Sequence, residues 1–126
     1  MEQVSPTSYA PITFLTLSGC DSLTDKGLCL VSKYFGGSLE TLNVSSCKLL
    51  TGKSLRPLSR SAQSLVSLDL GSTRTKPAHI LCLLKRCRKL RSLNVGGCEG
   101  VDRVWIEGIM GRDFHDCKIW QRGVGR

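Results

Sequence analysis

The chain has 126 residues, 40% of them hydrophobic, and 18 basic against 10 acidic groups give it a formal net charge of +8. No apolar run approaches the ~18–20 residues that a membrane-crossing helix needs, and the opening MEQVSPTSYAP lacks both the basic and the apolar segment of a secretory leader. Seven cysteines are an odd number, poorly suited to a secreted disulfide framework; a reduced chain of free thiols in the cytoplasm, with the nucleus as second compartment, is the expectation. Residues 1–45 hold two basic and four acidic groups, so sixteen basic groups face six acidic ones in the remainder. That asymmetry bears on partners rather than on fold.

In chain order, a tail over residues 1–10 leads into four copies of one phrase. They are ITFLTLSGC (12–20), LETLNVSSC (39–47), LVSLDLGST (65–73) and LRSLNVGGC (90–98). Each fits L-x-x-L-x-L-x-x-C, with Thr73 in the cysteine slot of the third. The slots at Cys20, Cys47, Thr73 and Cys98 stand 27, 26 and 25 residues apart, a period that marks a repeat architecture. Within each phrase the alternation of two predicts a short strand, Leu42 and Val44 facing one way and Thr41, Asn43 and Ser45 the other. Farther on, Leu28 and Val31, Leu55 and Leu58, Leu81 and Leu84, and Ile106 and Ile109 each stand three apart, as on one face of a helix. Leu23, Leu50 and Val101 follow their slots by three, whereas Lys76 breaks the third copy. Pro77, next to it, suits a first helical turn.

The units are therefore strand–turn–helix segments near 12–38, 39–64, 65–89 and 90–110, followed by a tail or improvised cap over 111–126 whose Phe114, Ile119 and Trp120, with Trp105 of the fourth unit, supply apolar surface. One unit cannot bury its own apolar stripe. Each buried aliphatic side chain contributes roughly 1.5–3 kcal/mol, against an ordering cost of about 1–2 kcal/mol per residue. Stacked neighbours supply the missing burial, so the predicted fold is an α/β solenoid, a short arc of four units with a parallel sheet on its concave face. The tail of ten residues is too short to cover the first unit.

SGCDSLTDKGL (18–28) resembles the cysteine-containing leucine-rich repeat, whose strand is followed by C-x-x-[LI]-T-D-x-[GA]-[IL]. SSCKLLTGKSL (45–55) is similar, with Gly52 and Ser54 in place of the Asp and Gly. The third and fourth copies keep the strand phrase but lose the Thr-Asp pair. The resemblance covers about residues 11–110. Such repeats are best known from F-box proteins, the substrate receptors of cullin-based ubiquitin ligases, and also occur in proteins without an F-box; the ten residues before Pro11 are too few for one.

Several residue groups invite a chemical reading. Cys20, Cys47 and Cys98 lie a full repeat apart, not at the C-x₂₋₄-C spacing of a zinc site, and read as small turn residues. Cys29, Cys82 and Cys87 fall on helices as small hydrophobes. His115 and Cys117 are a close pair without a second pair of ligands, and His79 stands alone at a helix start, expected in solvent. Gly96, Gly97 and Gly100 do not follow a phosphate-loop order. No spacing of Ser, His and Asp suggests a catalytic triad and no carboxylates are paired for acid–base chemistry, so neither an enzyme nor a cofactor is expected, the thiol-and-base reading of His115 and Cys117 being the weaker one.

Two surfaces remain. The outward strand positions Phe14, Thr16, Ser18, Thr41, Asn43, Ser45, Ser67, Asp69, Gly71, Ser92, Asn94 and Gly96 form a small-residue, nearly neutral concave face, the expected protein-binding site. Arg74, Lys76, Lys85, Arg86, Arg88, Lys89 and Arg91 run without an intervening acid and predict a basic edge; no aromatics interleave to stack bases, which disfavours nucleic acid. The resemblance implies substrate recognition for ubiquitin-dependent degradation, with cullin-ligase components engaged through a segment outside this chain. The alternatives are a scaffold or assembly factor unconnected with ubiquitin, and a basic module that binds RNA or an acidic partner.

Overall fold

The computed structural model describes residues 11–110 and 116–121. Strand and helix alternate: β1 Phe14–Thr16, α1 Asp25–Phe35, β2 Thr41–Asn43, α2 Leu55–Ser61, β3 Ser67–Asp69, α3 Pro77–Arg86, β4 Ser92–Asn94, α4 Arg103–Met110 and β5 Lys118–Trp120. The five strands lie side by side in chain order, every neighbouring pair parallel. The architecture is the α/β solenoid predicted from the repeat, a short arc, with one strand more than the four phrases supply.

Three-residue strands hold because the ladder runs past them. Leu17 N–H donates to Asn43 O (2.7 Å) and Gly19 N–H to Ser45 O (2.8 Å), and the same pair of bonds recurs from Val44 and Ser46 to unit three and from Leu70 and Ser72 to unit four. Beneath the ladder, Leu42, Leu68 and Leu93 stand in register at the strand centres and are at most 1% exposed. The leading Leu39, Leu65 and Leu90 and the trailing Val44, Leu70 and Val95 join them in the core. In the first unit Leu15, Leu17 and Leu23 are only half-buried, because no described unit precedes them to complete the packing.

The turn after each strand uses one backbone device. Gly19, Ser46, Ser72 and Gly97, each just before the slot, have φ of 76°, 59°, 55° and 78°. Glycine takes that left-handed conformation freely, while serine pays for it in steric strain. The turn then presents the slot side chain to the preceding unit: Cys47 Sγ donates to Leu17 O (3.1 Å) and Cys98 Sγ to Leu70 O (3.2 Å). Thr73 fills the slot differently, its hydroxyl donating to Leu70 O of its own turn (2.7 Å) and meeting Thr75 Oγ1 at 2.8 Å. Cys20 is exposed, Cys29 and Cys82 are half-buried, and Cys87 is buried just past the end of α3.

The Thr-Asp pair of the first unit has a mechanical role. Thr24 caps α1, its hydroxyl accepting from Gly27 N–H (3.3 Å). Asp25 reaches into the next unit, where its carboxylate accepts from the hydroxyl and N–H of Thr51 and from the hydroxyl (2.7 Å) and N–H (3.4 Å) of Ser54. Burial pushes this carboxyl up, but the bonds from Thr51 and Ser54 outweigh it and hold the group below its ordinary range. One junction along, Gly52 takes the aspartate's place (φ 96°) and leaves room for the ring of His79, whose Nδ1 lies 2.5 Å from where a Cβ would stand. His79 is therefore packed into the junction, with Nδ1 buried and unbonded, not held out in solvent.

The helix stripe needs one correction. Leu28, Leu55, Leu58, Leu84 and Ile106 face the core as predicted, but in α3 the most buried positions are Ile80 and Leu83, and Leu81 is half-buried. Leu55 stands eighth after its slot and Ile80 seventh after Thr73. The third loop is one residue shorter, with the buried Thr75 (1% exposed) filling the apolar place that Lys76 leaves empty.

The second correction is β5. Lys118–Trp120 pairs with β4 through Lys118 N–H to Arg91 O (2.9 Å) and Val95 N–H to Trp120 O (2.8 Å), and buries Cys117 and Ile119. Gln121 Nε2 fastens its end to Val101 O (2.8 Å). The tail residues 1–10, 111–115 and 122–126, with Phe114 and His115 among them, lie outside the described residues.

Candidate functional site

The sheet face opposite the helices is built from rows that the register sets. The flanking row runs Phe14, Thr41, Ser67, Ser92 and Lys118; the middle row runs Thr16, Asn43, Asp69, Asn94 and Trp120. Neighbours within a row are one strand spacing apart, about 4.8 Å. A third row lies just past the strands, at Ser18, Ser45, Gly71 and Gly96, where the hydroxyls of Ser18 and Ser45 meet at 2.8 Å.

The middle row is held from below. The carbonyl oxygen of Asn43 accepts from Ser45 N–H (2.9 Å), Asp69 Oδ1 from Gly71 N–H (2.9 Å), and Asn94 Oδ1 from Gly96 N–H (3.1 Å). Each is the side-chain-to-backbone bond two residues on that Asn and Asp favour, and it fixes the rotamer without using the outer half of the group. Asn94 Nδ2 then donates to Asp69 Oδ1 (2.8 Å). Gly71 permits this approach, since a Cβ there would stand 3.0 Å from Asn94 Nδ2. Asp69 is the one charged group of the row and is partly exposed, whereas Asn94 is only 3% exposed. Asn94 thus positions Asp69 and lies too deep to meet a partner, although the alternation places it outward.

Aromatic side chains stand at both ends of the face. Phe14 is 64% exposed on β1, and Trp120 lies half-buried on β5 with its indole N–H donating to Ser92 Oγ (3.0 Å). Lys118 and Trp120 extend the two rows of the face by one strand that the repeat pattern missed. The signal was present in K-I-W at 118–120, because Ile119 follows Leu93 by 26 residues, within the repeat period. Asp116 and Gln121 in the two other leucine positions concealed it.

The basic run divides in two. Arg74 lies in the loop before α3, its N–H bonded to Leu50 O (2.8 Å), and Lys76 is the N-cap residue of α3. Lys85, Arg86, Arg88, Lys89 and Arg91 gather at the other end, one helix of ten residues away, or about 15 Å. All seven are exposed. The cations at the C-terminal end complement the helix dipole, and Arg91 Nη1 donates to Arg88 O (2.9 Å) and Leu90 O (3.1 Å), closing the turn into β4.

Among the described residues no group of three or more His, Cys, Asp or Glu side chains is arranged to hold a metal, and no helix is long and apolar enough to cross a membrane. What the open face offers is shape, fixed polar groups and aromatic contact. Residues 38–59 match the family model described as Leucine Rich repeat, the segment comprising β2, its turn and the first part of α2. Repeats of this kind are interaction modules.

Proposed function

We propose that this chain is a protein-recognition module that grips its partner on the open face of the sheet. The observation that carries the reading is the middle row. Asn43 and Asp69 are locked by backbone N–H groups, so their outer polar atoms meet a partner without a further loss of side-chain entropy, the general advantage of preorganisation. Phe14 at one end supplies the exposed aromatic surface that anchors protein interfaces. Thr16, Thr41, Ser45 and Ser67 keep the floor low enough for a backbone to approach.

The finer reading is substrate recognition for a cullin-based ubiquitin ligase, with the ligase engaged through a segment outside this chain. Its support is the resemblance of residues 18–28 and 45–55 to the cysteine-containing repeat, together with physical roles for the residues that define it: the thiol bonds of Cys47 and Cys98 and the clamp of Asp25. On this reading the protein works in the cytoplasm or nucleus.

Proximity labelling and affinity capture from native cells, with wild type beside Asn43→Arg and Phe14→Glu, test both levels. Partners lost with either face variant, at unchanged circular dichroism, support the face; partners retained by both overturn it. Co-purification of a cullin and its adaptor supports the ligase reading, and their absence from a partner-bearing complex counts against it.

A further inference from the structure

The middle strand carries a charge that its turn does not require. Asp69 stands in register with Asn43 on one side and Asn94 on the other. At all three positions one side-chain oxygen accepts from the N–H two residues on, and at 43 and 94 the oxygen of a neutral amide suffices. Asn94 Nδ2 asks for nothing more, since it donates to the same Oδ1 of Asp69 (2.8 Å). The second carboxylate oxygen, Oδ2, is thus surplus to the fold. Among the described residues no group bonds it, and the buried side-chain atom left without a hydrogen bond is His79 Nδ1, so Oδ2 is open to solvent.

The surrounding face does not neutralise that charge. Asp69 is the one acidic residue between Glu40 and Glu99. The adjoining strands β2 and β4, described on both sides of it, place uncharged Thr41, Asn43, Ser92 and Asn94 beside it. Among the described residues the ion pair within 4 Å is Arg103–Glu107, on α4. Gly71 leaves the carboxylate uncrowded, because a Cβ there would stand 3.1 Å from Oδ1. With its rotamer fixed by two bonds, Asp69 has little freedom left to lose, and a cation meeting Oδ2 immobilises mainly its own side chain.

We propose that Asp69 selects the partner of the sheet face: the bound protein segment presents a single lysine or arginine side chain to Oδ2. The inference rests on the sheet-face reading and adds the chemistry that the face recognises. A charge-assisted hydrogen bond is stronger than a neutral one, and a fixed carboxylate makes it directional. The site fits one cation and not a basic run. The neighbouring hydroxyls and amides supply no second carboxylate, and the chain's net charge of +8 opposes a strongly cationic segment.

The test is selection of a random peptide library, displayed on phage, against the full chain. Clones are sorted on Ser67→Trp, an uncharged block on the same strand, and those that lose binding there define the face. Among them one position should hold lysine or arginine. Asp69→Asn, which keeps the oxygen that Gly71 and Asn94 use, should weaken these clones about tenfold or more, at unchanged circular dichroism and melting temperature. Fluorescence anisotropy with one selected peptide then closes a cycle. Replacing its cation by glutamine should weaken binding about tenfold in the wild type and less than about threefold in Asp69→Asn, because both changes remove one interaction. Face-binding clones without a shared cation, or equal losses in the two proteins, overturn the proposal and leave the sheet-face reading standing. Unfolding of Asp69→Asn contradicts the premise that the fold has no need of the charge, and overturns it as well. An absence of clones sensitive to Ser67→Trp removes the sheet-face reading and this proposal together.

Discussion

Removal of the Asp25 carboxylate is the most direct probe of how these units hold together. In Asp25→Ala the hydroxyl and N–H of both Thr51 and Ser54 lose their acceptor. Ser54 is 1% exposed, so water does not readily replace the bond. Hydrogen bonds to a charged group contribute about 1.5–3 kcal/mol, and a buried donor left unpaired costs about 1–3 kcal/mol. The groups share one carboxylate and Asp25 is itself partly solvated, so the expected loss is about 2–3 kcal/mol and not the sum of the contacts. Asp25→Asn keeps one acceptor oxygen and should lose about 1 kcal/mol. The bonds hold the folded carboxyl below its unfolded value. Its contribution is therefore fully present above the unfolded pKa of about 3.9 and is lost as pH falls through the lower folded value. Urea unfolding followed by circular dichroism should show wild type and Asp25→Ala well separated at neutral pH and converging in acid. A gap that stays constant into acid, or a neutral-pH loss below about 0.5 kcal/mol, would refute the clamp.

Three other outcomes follow from the packing. Leu68→Ala, at a site 1% exposed in the middle strand, should cost about 2–5 kcal/mol by chemical denaturation, whereas Leu30→Ala on the half-exposed side of α1 should cost far less. Ser46→Gly relieves a left-handed φ of 59° and should be neutral to stabilising by up to about 1 kcal/mol, while Ser46→Val should destabilise by more than that; melting temperatures read both. With Cys87 and Cys117 raised to about 11 from 9.0, the stability due to their neutral thiols is complete below the unfolded value and is lost as pH rises through the folded one. Alkaline titration should show a steeper loss in the wild type than in Cys87→Ala with Cys117→Ala, which keeps only the raised thiols of Cys47 and Cys98.

The sheet and its register were legible because two inward leucines per phrase survive in all of the first four strands. β5 was not legible, since of those positions only Ile119 remains and its neighbours Asp116 and Gln121 are polar. The stripe of α3 was misplaced for a related reason: periodicity reports which residues share a face, but the loop from Thr73 to Ile80 sets where the stripe begins. The outward rows follow from alternation alone, yet the burial of Asn94 depends on how Asp69 and its other surroundings close over it, which no spacing encodes. Likewise the charges from Arg74 to Arg91 are contiguous in sequence and divided in space, because the apolar body of α3 lies between them.

The thiols give the solenoid a built-in clock. Cys20 and Cys29 lie in the first unit, Cys47 in the second, Cys82 and Cys87 in the third, Cys98 in the fourth and Cys117 beside β5, and none is in a disulfide. A pulse of alkylating reagent under mildly destabilising conditions, followed by mass spectrometry, therefore dates the detachment of every segment without a single engineered label. Cys47 and Cys98 point at carbonyls of the unit before them, so each is released when its junction parts, even if its own helix stays formed. The order of labelling would show whether the arc frays from one end or separates first at an inner junction.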